Sequence, residues 1–77
     1  MTNQIDNFID LLKKIRSTGL TYKQMAEALQ IKMNTLYTWL YKKNIDEKRA
    51  IYLTHQIKKI YPEQYNYVLT IMKEEEN

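Results

Sequence analysis

The amino-acid sequence predicts an all-α protein, a compact bundle of about five helices in one domain. Apolar residues recur at three- and four-residue spacing through each long segment, and no alternating run competes as a strand. A single glycine and a single proline among 77 residues leave room for only short connections. Helix-start signals at Asn3, Thr21, Asp46 and Pro62, with a stop at Gly19, divide the chain into segments of ordinary helical length.

The first helix is expected from Gln4 to Thr18, with Ile5, Phe8, Ile9, Leu12 and Ile15 on one stripe and Asn3 as its N-cap. Gly19 stands where a left-handed residue would end it. Thr21 and Gln24 fit a capping box opening the second helix, which turns Met25, Ala26 and Leu29 inward. The third covers about Met33 to Lys43, with Leu36, Trp39 and Leu40 inward. Asp46 caps a fourth helix reaching Ile60, its stripe being Ala50, Leu53, Ile57 and Ile60. Pro62 suits the first turn of a fifth, where its missing N–H costs nothing. That helix carries Tyr65, Val68, Leu69 and Met72. Residues 1–72 then form the domain and 73–77 an acidic frayed tail, because Glu74 to Glu76 oppose the helix dipole at that end.

Several classes of function find no support in these residues. Cysteine is absent, so disulfides and thiolate metal sites are excluded, and the single histidine, His55, has no ligand partner at helical spacing. Neither a phosphate-cradling glycine loop nor a nucleophile with a plausible base is present, so no enzyme, cofactor or small-molecule ligand is expected. No apolar run is long enough to cross a membrane, and the N-terminus lacks the pattern of a secretory signal. The expected location is the cytoplasm.

Charge is distributed unevenly. The formal net charge is only +3, yet eleven of the twelve cations and three of the nine acids fall between Leu11 and Tyr61. A basic middle in a small helical domain suits a polyanionic partner, and a solvated lysine-rich surface is the alternative reading.

The joint between the second and third helices, TYKQMAEALQIKMNTLYTW from Thr21 to Trp39, has the packing logic of two helices crossing steeply. Ala26 is small where the next helix must approach, while Met25, Leu29 and Ile31 close the wedge. Leu36 and Trp39 anchor the second arm and leave its other face free. Written out, Leu20-Thr21-x-x-x-Met25-Ala26-x-x-Leu29-x-Ile31-x-x-x-Thr35-Leu36-x-x-Trp39 resembles the helix-turn-helix of the Cro/CI (Xre-like) repressors. The usual wording in that family is close to LTxxxLAxxLGISxxTISxWE. Three positions depart from it. Gln30 replaces the turn glycine, where a left-handed backbone costs other residues about 1 kcal/mol. Lys32 replaces a capping serine whose hydroxyl is worth about 1 kcal/mol. Leu40 replaces the glutamate after the tryptophan.

The resemblance implies a lambda-repressor-like bundle that binds double-stranded DNA and regulates transcription, as a small phage or mobile-element repressor. It places the third helix in the major groove, with Met33, Asn34, Tyr37 and Thr38 toward base edges. Asn34 suits adenine, and Thr38 and Met33 suit thymine methyls. Lys23, Lys32, Tyr41, Lys42 and Lys43 fall to phosphates. Such domains bind as dimers on paired half-sites, and Tyr61, Tyr65, Val68 and Met72 of the fifth helix are the expected homodimer contact. The same stripe would instead be consumed if that helix folded back over the first. A different class also fits: a protein-interaction module on this scaffold, such as an antirepressor, an antitoxin-like component or an inhibitor of a host machine. The lost glycine, the lost cap and the tyrosine-rich outer face favour that reading.

Overall fold

A computed structural model of the chain describes residues 4–76. It is all-helical, with five helices in the order α1 (Gln4–Ser17), α2 (Tyr22–Leu29), α3 (Met33–Lys42), α4 (Glu47–Ile60) and α5 (Pro62–Glu76). Helix α1 packs against α4 and α5, while α2 packs against α3 and α4. The expected N-cap Asn3 lies outside the described residues.

One core joins all five helices. Phe8, Leu12 and Ile15 of α1 meet Met25 and Ala26 of α2, Leu36 and Trp39 of α3, Ala50, Leu53 and Ile57 of α4, and Val68 of α5. The Phe8 and Trp39 rings meet edge to face at 5.9 Å, the geometry favoured by the ring quadrupoles. Arg49 lays its guanidinium 5.7 Å from the centre of the Trp39 ring, so the tryptophan is covered by a cation on the side the core leaves open. No polar or charged residue is buried among the described residues, so apolar burial carries the stability.

The helix ends follow the sequence with instructive exceptions. The capping box of α2 forms in both directions: Gln24 N–H donates to the Thr21 hydroxyl at 3.1 Å and Thr21 N–H to the Gln24 side-chain oxygen at 2.9 Å. Gly19 follows α1 at a φ of 115°, a backbone region that side chains other than glycine rarely enter. Asp46 stands at the N-cap of α4 with the right backbone, but its side chain makes no capping bond. Helix α3 stops at Lys42, because Lys43 turns left-handed at φ 53° and donates its N–H to the Trp39 carbonyl. Leu11 and Ile45 join the core, although neither belongs to the expected stripes. Ile60 does the reverse: it is 40% exposed, since the last turn of α4 outruns the neighbours that cover Ile57.

Helix α5 runs through Glu76, across the residues expected to fray. It also folds back over α1 and α4, which buries Val68 completely. Val68 therefore has no surface to offer a second chain.

Candidate functional site

The connection between α2 and α3 is only Gln30, Ile31 and Lys32. Gln30 sits in the left-handed region, at φ 59° and ψ 43°. There its N–H donates to the Glu27 carbonyl at 3.2 Å, and Ile31 N–H donates to the Ala26 carbonyl at 2.9 Å. These paired bonds satisfy carbonyls that the end of α2 would otherwise leave free, the bonding of a Schellman turn. Ile31 and Leu29 pack against the core on either side, which holds a strained non-glycine residue in place. Lys32 begins α3 with extended backbone and no side-chain capping bond.

Helix α3 is two-sided. Leu36, Trp39 and Leu40 are buried, and Asn34, Tyr37, Tyr41 and Lys42 are exposed on the other side, with Thr38 half-buried beside them. Asn34, Tyr37, Thr38, Tyr41 and Lys42 line one shallow concavity. The Thr38 hydroxyl donates to the Asn34 carbonyl at 2.9 Å, so its oxygen lone pairs remain available as acceptors. Five of the residues expected to meet DNA, Asn34, Tyr37, Thr38, Tyr41 and Lys42, are thus brought onto one face. Met33, expected among the base-facing residues, is instead half-buried and packed against the core.

The cations divide. Lys23 in the first turn of α2, Lys32 ahead of α3 and Lys42 at its end are all exposed, and Glu27 is the one acid on these two helices. Lys43 turns away. Its ammonium lies 2.9 Å from an Asp6 carboxylate oxygen on α1, beside Asp10 and Lys13, so it is engaged with α1 rather than presented with Lys42. The left-handed residue that ends α3 causes this, because it redirects the chain at Lys43 itself.

Aromatic rings line the same side of the molecule. Tyr37 and Tyr41 stack with centroids 5.9 Å apart and planes at 24°, and Tyr22 of α2 meets Tyr37 edge-on at 6.4 Å and 78°. Partial burial pushes the Tyr22 phenol above its ordinary pKa of 10.0, the Arg16 charge opposes this, and the Tyr41 and Tyr37 phenols add to the rise. Tyr22 was missing from the sequence expectations for the site. Its position at the start of α2 reads as a helix-start residue, and only the crossing of α2 on α3 brings it to Tyr37.

The other expected residues belong to the C-terminal half. Tyr61, Tyr65 and Met72 are half-buried against the core, and Val68 is wholly inside it. The large apolar side chains left exposed on α4 and α5 are Ile51, Tyr52, Ile60 and Tyr67. A groove of about 330 Å³ runs between α1, α4 and α5, where Leu11, Leu69 and Met72 meet Gln4, Asn7 and Lys73. No group of three or more histidine, aspartate or glutamate side chains able to hold a metal stands among the described residues. No helix among them is long and apolar enough to cross a membrane. Searches against family models, curated proteins and solved structures found no match to this chain.

Proposed function

We propose that the chain is a sequence-specific DNA-binding transcriptional regulator, a small repressor of the phage or mobile-element kind. It uses α2 and α3 as a helix-turn-helix and sets α3 in the major groove as one half of a dimer. The observation that carries this reading is the two-sided α3: three residues anchor it in the core, and a polar, aromatic and basic face is left outward in the basic part of the chain.

In this mode Lys23, Lys32 and Lys42 neutralise phosphates and fix register without reading sequence. The N–H groups of Tyr22 and Lys23, which have no acceptor within the helix, add a further phosphate contact at the start of α2. Asn34 pairs with an adenine edge, and Tyr37 and Thr38 contact neighbouring bases. Occupying the operator excludes polymerase.

The test compares wild type with Asn34→Ala/Thr38→Ala in selection from a random duplex pool. The wild type should enrich a defined site, each lost base contact being worth about 1–3 kcal/mol of discrimination. The variant should remain folded and enrich none. A variant that selects the same site as wild type would remove α3 from the reading role.

One observation favours a second reading, a protein-interaction module on the same scaffold. Tyr37 and Tyr41 are exposed at 38% and 79%, and stacked surface aromatics are common anchors in protein interfaces. A stoichiometric protein partner that still binds the Asn34→Ala/Thr38→Ala variant would support it.

A further inference from the structure

The stack at the end of α3 is open on one side. Tyr37 and Tyr41 lie one helical turn apart with nearly parallel rings, and Tyr22 braces the inner ring edge-on. Exposure rises along this row, from half-buried Tyr22 through Tyr37 to Tyr41. An isolated exposed tyrosine needs no explanation. Three rings in sequence, fixed at one end and bare at the other, form a built platform.

We propose that this row is a stacking platform for unpaired bases, so that the α3 face binds single-stranded DNA by continuing the Tyr37–Tyr41 stack onto Tyr41. The proposal rests on reading the α3 face as a nucleic-acid surface, but not on the duplex mode. What the open ring offers is a flat aromatic face. Inside a duplex, base faces are covered by their neighbours and the grooves present only edges. Unpaired bases have free faces, and stacking them on aromatic side chains is how single strands are commonly held.

The surroundings match that occupant. Lys42 lies in the same concavity, Lys23 and Lys32 are exposed on α2 and ahead of α3, and Arg16 acts on Tyr22 through its charge. Against them stands one acid on these helices, Glu27, so the field suits a phosphate backbone. Asn34 and Thr38 supply donors and acceptors in the same concavity for the edge of a stacked base. A protein anchor is a poorer fit, because lysine is depleted at the core of a protein interface and Lys42 lines this concavity beside the rings.

The test titrates the full chain into short oligonucleotides carrying 2-aminopurine, offered at low salt both as single strands and as duplexes. Wild type, Tyr41→Ala and Tyr41→Phe are compared, with circular dichroism confirming that each folds. Expected are single-strand binding with stacking-induced quenching of 2-aminopurine, weakening by about 5- to 150-fold in Tyr41→Ala, and near wild-type binding in Tyr41→Phe, which keeps the ring. Equal single-strand affinity in wild type and Tyr41→Ala would overturn the platform. Binding to duplex alone would also overturn it while leaving the regulator reading intact. Binding to neither form would overturn both and leave the row to a protein partner.

Discussion

Gln30 is one of two non-glycine residues with a left-handed backbone among the described residues, and its surroundings explain why it is tolerated. A left-handed glutamine costs about 1 kcal/mol or more, but its N–H and that of Ile31 close the end of α2, and Ile31 packs inward. Gln30→Gly relieves the strain at some entropic cost and should stabilise the fold by about 0.5–1 kcal/mol in urea unfolding, with unchanged helix content. Lys32 invites a sharper test, because it stands at an uncapped helix start and is also a proposed phosphate contact. Lys32→Ser should add about 1 kcal/mol of stability, while lowering duplex affinity and reducing the salt slope by about 1. Stability and binding moving in the same direction would contradict the role assigned to Lys32. Tyr22 sets a pH dependence: with its folded pKa raised, its contribution is whole below pH 10.0 and is lost as pH rises through the higher folded value. Tyr22→Phe should flatten the alkaline loss of stability.

At the scale of elements, helices were legible wherever local chemistry decides. Spacing located all five, Thr21 and Gln24 announced a capping box that forms, and the departure at Gln30 marked a residue that is left-handed in the structure. Spacing shows which side of a helix faces inward, but not how far a neighbour covers it. That is why Ile60 is exposed despite lying on the stripe of Ile57, and why Leu11 is buried beneath α5. The site was legible to the same degree. Asn34, Tyr37, Thr38, Tyr41 and Lys42 share a face because they share a helix. Lys43 pairs with Asp6 of α1, and Tyr22 meets Tyr37 where α2 crosses α3, both contacts between helices that spacing within one helix does not show. Helix α5 supplies the clearest energetic test. Val68 is the one fully buried residue among those described on α5, so Val68→Ala should cost about 2 kcal/mol in denaturant unfolding if α5 is integral to the fold. A neutral result would mean that α5 is an appendage.

For the whole molecule, the decisive features are the placement of charge and the apolar surface left over. Eleven cations lie between Leu11 and Tyr61, while acids are concentrated toward the ends of the chain. Of the exposed large apolar side chains, Tyr37 and Tyr41 belong to α3, and Ile51, Tyr52, Ile60 and Tyr67 belong to α4 and α5. The latter four, rather than Val68, are the side chains free to meet a second copy in the proposed dimer. Sedimentation of Tyr52→Ala/Tyr67→Ala should then show a monomer under conditions where the wild type is dimeric.

The most direct measurement of the central claim, that α3 of this basic domain reads duplex DNA, is fluorescence anisotropy with selected and random duplexes across a range of salt concentrations. The account predicts preferential binding to a selected site of two-fold symmetry. It also predicts log–log affinity falling with salt at a slope of about −0.9 for each phosphate neutralised, steeper than a single cation can give. Weak binding, equal for selected and random sequences and gone near physiological salt, would contradict it.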